Sequence, residues 1–511
     1  MLNGSILSLI TFLPLAGAVI LALLPRRGRV IQWWALLVSL ATFIATLHLP
    51  AHFVYGHSGF QFVINAPWIA HPAIRYHLGV DGLSMWLVVL TGFLAPIGVL
   101  VSWKAIQNRT KEFYFLFLIQ QTAMLGVFVS LDLFLYYAFW ELTLVPIAIL
   151  IAMYGRTKGP QAAIKFFLYT FIPSALFLVA ILWLYAKTGT FEFGHLQTAI
   201  AAGGLGPQAL FWAALAFLVA FAVKVPVFPL HGWLADGLTQ APTAMSMVIA
   251  GKLGLYSLIR FSLGLFPAQS REFAPWLIAL AVIGVIYGAL VALVQRDMKR
   301  LVAYAILSQV SFVILGIFCF SITGLDGAVY QILNEGVSGG ALLVLLGFLY
   351  ERYGTFEISE YGGLCKQLPH MATLYIITTL SLIGLPILNG FVGEFLVLSG
   401  SFVGHHAWVV VATLGVILSA SYMLWFIQRV FFGPPSTMVE EKPGSDISFR
   451  ELATLWPMIL LMVVMGVASP YWIRGIEDGI RPLANAPVTQ PMAQSHATSL
   501  PTQATLLKGR Q

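Results

Sequence analysis

Long apolar runs alternate with short polar punctuation over almost the whole chain. Read with a window of about 19 residues, the length that crosses a hydrocarbon core of about 30 Å, the pattern predicts membrane helices near 4–24, 31–49, 83–103, 113–130, 133–153, 163–186, 208–228, 243–264, 273–294, 301–322, 328–350, 371–398, 407–431 and 454–473. The count is about 14. Arg26, Arg27 and Arg29 come after the first run rather than before it, and no small-residue cleavage site is present, so that run is expected to be retained. The remaining stretches are short: a loop at 50–82 rich in aromatics and His, polar connections at 188–207 and 434–453, and a tail at 483–511 rich in Ala, Pro, Gln and Thr. The tail is expected to be disordered or draped on a neighbour. None of them is long enough for a separate catalytic domain.

Composition sharpens this reading to an all-α polytopic membrane protein. Hydrophobic residues make up 59% of the 511 and charged residues 9%, where a soluble domain carries roughly 25% charge. The mean hydropathy is +0.88. The net charge of +7 is scattered in ones to threes between apolar runs, as topology signals are, so nucleic acid is not an expected partner. Cys319 and Cys365 lie far apart without a CxxC, offering no ligand set for a cluster, zinc or haem. No Walker sequence and no GxGxxG opening a βαβ unit occurs.

Connections after odd-numbered helices carry 17 basic residues and those on the opposite side 8, which places the first set in the cytoplasm and both termini outside. Counting the connections leaves two basic residues, Lys224 and Lys252, and both fall inside predicted spans. Glu141 joins them. An ionisable group at mid-helix costs roughly 2.5 to 3.5 kcal/mol on the insertion scale, so such groups face a bundle interior and mark ion paths. An inert Glu141–Lys224 pair that only docks helices is the plainer alternative.

Two spans are also interrupted. In FLVAFAVKVPVFPLHGWL, Pro226 and Pro229 lack an N–H and must end the helix just after Lys224. In SLIGLPILNGFVGEFLVLSG the interruption comes from Gly384, Pro386, Asn389, Gly390 and Gly393, and the next charge is Glu394. Broken helices at membrane depth recur at transporter ion sites, where protein or trapped water satisfies the freed carbonyls. The break falls in the fourth helix of each of two five-helix units, and an odd-numbered repeat implies inverted topology. The expected organisation is 1–112 with an outer loop, 113–264 and 265–433 as the repeats, 434–482 as a loop and last helix, and 483–511 as the tail. His231 comes just after the first break and is a candidate for proton entry. His405 and His406 lie beyond Glu394, either at the exit or simply at the surface. Asp132, Asp236 and Asp297 sit at helix ends, where capping or interfacial pairing is expected.

AVKVPVFPLHGWLADGLTQAPTA, QRDMKRLVAYAILSQVSFVILG, LPILNGFVGEF and YHLGVDGLSMWL together resemble the antiporter-like membrane subunits of respiratory complex I, in order and in register over about 60–435. YHLGVDGLS and the FWE element favour the M type over the L and N types. The resemblance implies 14 helices with two inverted five-helix repeats, and roles for matched residues. Glu141 is similar to the glutamate that pairs with the lysine of the broken helix, Lys224 to that lysine, Lys252 to the central lysine, and Glu394 to the terminal proton-carrying acid. It also implies no cofactor in this chain. NADH, FMN, iron–sulfur clusters and quinone are expected in partner subunits, L- and N-type subunits and lipids as neighbours, and the bacterial inner membrane as location.

The chain departs from that pattern in three places. About three residues are missing before Lys252, which rotates the rest of that helix by about 60° and shifts it about 4.5 Å, toward a neighbouring face. A family histidine aligns with Gln309, which cannot ionise, so a proton chain would need water there. Another aligns with Glu335, which still takes and gives protons and is a candidate intermediate between Lys252 and Glu394. Burial disfavours the charged form of Lys224 and a nearby carboxylate favours it, so displacement of the Glu141 charge would switch the lysine between holding and releasing a proton. The energy must come from neighbouring subunits. Other readings are a subunit of a multisubunit cation/proton antiporter, membrane-bound hydrogenase or inorganic-carbon transporter, and a purely structural spacer.

Overall fold

The computed structural model describes residues 4–249 and 252–484, so the expected tail lies, from 485 onward, outside the described residues. Thirteen helices among them are long and apolar enough to cross a membrane. The longest, Asn389–Phe431, leaves helical geometry at His405 (φ −141°, ψ 45°), and so holds both the end of the expected 371–398 segment and the 407–431 segment.

Burial sorts these helices into a core and a rim. The 18-residue windows of Ile322–Tyr353 and Met298–Phe318 are 100% and 94% buried, whereas that of Gly159–Thr188 is 39% buried. Ile164, Ile172 and Val179 on the latter stay exposed, as expected where lipid is the solvent. The core therefore gathers the polar side chains that lipid would not tolerate.

Both predicted breaks occur. Pro207–Lys224 ends at Lys224, and the chain resumes helix only at Leu234–Gln240. Pro369–Leu382 stops before Gly384, which adopts φ +74°, and Asn389 opens the next helix. A third interruption lies at Thr143, between Leu133–Leu142 and Leu144–Tyr154. Pro146 has no N–H to give the preceding turn, which accounts for it. Asp132 caps Leu133–Leu142 and Asp297 caps Met298–Phe318, as helix-end aspartates should, while Asp236 pairs with Lys165 at 2.6 Å.

The connecting stretches are more ordered than their composition suggests. Residues 50–82 are not only loop: strands β1 (Gln61–Ile69) and β2 (Ile74–Val80) form an antiparallel hairpin, with Leu78 and Val80 buried. Aromatic and β-branched residues favour such pairing. A helix, Phe193–Ala201, occupies 188–207. The last span starts earlier than expected, at Phe449, because Ser448 and Glu451 form a capping box. Beyond it an amphipathic helix, Ser469–Ala484, packs on Gly82–Ala105 and Ile322–Asn334.

Counting charges by connection also misplaces two of them. Arg260 is buried and bonded to Asp81 at 2.5 Å, and Lys299 is buried at the start of its helix. Among the described residues four cations, not two, lie inside the bundle: Lys224, Lys252, Arg260 and Lys299.

Candidate functional site

Lys224 is the last residue of its helix and is 8% exposed. Its ammonium donates to Thr143 Oγ1 at 2.9 Å and stands 4.5 Å from the centre of the Trp140 ring. Thr143 in turn donates to the Trp140 carbonyl at 2.7 Å, so the hydroxyl is oriented with its lone pairs toward the lysine. Trp140 Nε1 donates to Ser174 Oγ at 3.0 Å, and Ser174 donates to Glu141 Oε1. No ionic bridge joins Glu141 to Lys224. The half-buried carboxylate acts on the lysine through space, across Trp140, Thr143 and Ser174. A pair that merely docked helices would be expected in direct contact.

The helix carrying Lys252 packs against this break. A side chain at Gly254 would put a Cβ 2.6 Å from Val225 Cγ2 and 3.1 Å from the Lys224 carbonyl carbon, so only glycine permits the approach. The residues missing before Lys252 suggested a neighbouring face of its helix, and the side chain there is buried. It is 4% exposed, donates to the Met247 carbonyl at 2.8 Å, lies over Gly336 and interacts electrostatically with Glu335. Residues 250–251 lie outside the described residues, and past Ser257 the helix continues as a π-helical turn at Leu258–Leu263. A widened turn of this kind re-phases a helix and recurs at functional sites.

Glu335 opens a second π-helical turn, Glu335–Gly339. Its carboxylate folds back over Gly339, where a Cβ would lie 2.2 Å from Oε1, and Oε1 is buried without a hydrogen-bond partner. Beyond it the buried amides form a directed line. Asn334 donates to Gln331 Oε1 at 2.8 Å, Gln331 to Gln309 Oε1 at 3.1 Å, and Gln309 to Glu394 Oε1 at 3.0 Å. Two spaces of about 10 Å³ flank Glu335 and Gln309, one bounded by Lys252 and Gln331, the other by Gly339 and Tyr422. That is about the least volume a single water needs. Asn389, Ser338 and Ser381 bond to one another beside this line, and Asn334 joins it to the Asn389 carbonyl at 2.9 Å.

His231 lies after the break among Phe228, Tyr287 and Tyr304, with Nδ1 buried and unpartnered. Burial, with the Lys165 charge adding to it, holds the ring below its ordinary titration range. His405 marks the bend in the long helix.

Lys224, Thr143, Trp140, Ser174 and Glu141 thus form one cluster, and Lys252, Glu335, Gln309 and Glu394 a second. Sequence reasoning missed Thr143, Ser174, Gln331, Asn334 and Lys299. A single uncharged polar residue is diluted in a hydropathy window, and Lys299 read as a loop residue. Lys299 donates to the Ala241 carbonyl at 2.6 Å and to Ser246 Oγ at 3.1 Å. It ties the segment after the first break to Met298–Phe318. Among the described residues no three His, Cys, Asp or Glu converge as metal ligands.

Fold and site together define a polytopic membrane subunit of the antiporter type. A family model described as NADH:quinone oxidoreductase/Mrp antiporter, TM, matches residues 130–419, and one described as NADH-ubiquinone oxidoreductase chain 4, amino terminus, matches 9–131. NADH-quinone oxidoreductase subunit M of Rhodobacter capsulatus is 41% identical over 485 residues, covering 91% of this chain and 93% of that one. NADH-ubiquinone oxidoreductase chain 4 of Marchantia polymorpha is 37% identical, covering 90% and 93%. Among solved structures, a chain of respiratory complex I from Thermus thermophilus superposes with a TM-score of 0.85 at 31% identity, covering 94% of this chain and 99% of that one. A chain of the Mrp complex from Dietzia sp. DQ12-45-1b gives 0.82 at 20% identity, covering 95% and 98%, a likeness of fold alone. The chain belongs to the NADH-quinone oxidoreductase subunit M family.

Proposed function

We propose that this chain is a proton-translocating membrane-arm subunit of an NADH-quinone oxidoreductase, moving protons across the membrane while electrons pass to quinone elsewhere in the complex. The observation that carries the mechanism is the pair of buried clusters at the two breaks, Lys224 with Thr143 and Trp140 at the first, and Lys252, Glu335, Gln309 and Glu394 leading to the second.

Lys224 holds a proton while the Glu141 charge is near and releases it when that charge is neutralised or displaced, since a buried ammonium depends on its counter-charge. Thr143 and Trp140 position the ammonium without neutralising it, which leaves its charge state responsive to Glu141. The proton passes to Lys252 and Glu335, then by water past Gln309 to Glu394. His231 supplies protons from the cytoplasmic side. Units 113–264 and 265–433 are the two inverted repeats, each with its own break. Moving one charge against 100 mV costs about 2.3 kcal/mol, and that energy arrives from partner subunits holding NADH, FMN, iron–sulfur clusters and quinone. L- and N-type subunits flank the chain in a bacterial inner membrane, with both termini periplasmic.

The test is proton-to-electron stoichiometry in proteoliposomes carrying the whole complex with Lys224→Met. A lowered stoichiometry with electron input intact supports the assignment. An unchanged one reduces the chain to a structural spacer, and transport that tracks a sodium gradient without quinone reduction makes it an antiporter.

A further inference from the structure

A crevice of about 420 Å³ opens at one end of Gly159–Thr188. Four cations line it, Arg156, Lys158, Lys165 and Arg300, against two carboxylates, Asp236 and Asp297. Arg156 bonds to Asp297 at 3.0 Å, Lys165 to Asp236 at 2.6 Å, and Arg300 lies 3.8 Å from Asp236. The carboxylates thus fix the cations in place without matching their number. Among the described residues the Lys158 ammonium has no partner, and the Thr239 hydroxyl in the wall is buried at 7% exposure with no hydrogen-bond partner. This is a built anion site: two surplus positive charges and an unused buried donor around one space.

The same helix shows what kind of anion. From Gln161 in the crevice, Ile164, Leu168 and Ile172 succeed one another at helical spacing on one face, and the three apolar side chains are 61%, 48% and 60% exposed. A polar pocket at the end of a membrane helix thus continues directly into an apolar track along it. A free phosphate would use only the pocket, whereas an amphiphile uses both.

We propose that this crevice binds the phosphate headgroup of an anionic phospholipid, with an acyl chain lying along Ile164, Leu168 and Ile172. Lys158, Arg300 and Thr239 contact the phosphate, while Lys165 and Arg156 are held ready by their carboxylates.

The test is lipid retention by the purified full chain in its complex, read by native mass spectrometry after titration with phosphatidylglycerol, with phosphatidylcholine of the same chains, and with inorganic phosphate. Phosphatidylglycerol is expected to bind in preference to phosphatidylcholine and to resist displacement by phosphate. Lys158→Gln with Arg300→Gln lowers its affinity about fivefold for each charge removed. Thr239→Val, which keeps the side-chain shape, lowers it further while the thermal stability of the delipidated protein stays unchanged. Equal retention of both lipids, or an unchanged affinity in the double variant, overturns the site. Full displacement by phosphate at equal occupancy overturns the lipid as its occupant.

Discussion

Gln309 donates to Glu394 at the end of a line of buried amides that all point their N–H groups the same way, toward the carboxylate. Each donor polarises the next, so the line favours a charged Glu394. Gln309→Leu leaves that carboxylate without its donor. A hydrogen bond to a charged group is worth about 1.5 to 3 kcal/mol, so the ionised form should become about tenfold or more harder to reach. The expected result is slowed proton release and a larger protonated-carboxyl infrared band, and Gln309→His should restore much of the rate.

Thr143 is expected to matter nearly as much as the lysine it holds. Thr143→Val keeps the shape but removes the acceptor for the buried Lys224 ammonium at 2.9 Å. Proton-to-electron stoichiometry should fall as with Lys224→Met, while Thr143→Ser, which keeps the hydroxyl, retains it.

Lys299 connects Met298–Phe318 to the segment at 241–246 through the Ala241 carbonyl and Ser246. Lys299→Met removes both bonds, and amide exchange over 234–246 should rise by about tenfold or more, the effect of losing one charged hydrogen bond of about 1.5 kcal/mol. Exchange in the distant hairpin at 61–80 should not change.

His231 titrates below its ordinary value of 6.5, so it is neutral at pH 7 and must take a proton in its buried box as the medium is acidified. Because the unfolded chain binds that proton more readily, the stability this residue contributes is present above pH 6.5 and is lost as pH falls through the folded value. Lys165→Gln removes the nearby positive charge and brings the folded value closer to 6.5, so the stability lost on acidification should shrink while the acid limb of transport moves to higher pH. His231→Gln should flatten that limb.

Asp446 ties the last connection to the helix beginning at Pro369. Burial alone would push its carboxyl up, but the amides of His370, Met371 and Ile447 and the His370 ring outweigh that and hold it below the usual carboxylate range. The stability it contributes is present above about pH 3.8 and lost on acidification through the lowered value. Asp446→Asn should increase proteolysis between 442 and 448 at neutral pH, with little change at strongly acid pH.

The amino-acid sequence by itself determined the membrane class, the helix count and the positions of both breaks. Hydropathy and proline act locally: a run of apolar residues must cross lipid, and a chain without an N–H at Pro226 or Pro229 cannot continue its helix. It also carried Glu141, Lys224, Lys252 and Glu394, because a charge in an apolar run stands out. Tertiary structure alone decided which of these meet. The sequence could not reveal that Trp140 and Thr143 stand between Glu141 and Lys224, that Lys252 and Glu335 border one buried space, or that Lys299 and Arg260 are buried. A single hydroxyl or amide is diluted in a hydropathy average over about 19 residues, and a cation at a helix end looks like a topology signal until the packing of other helices closes over it. The hairpin at 61–80 was hidden for a similar reason: its pairing and its burial depend on the helices it lies against.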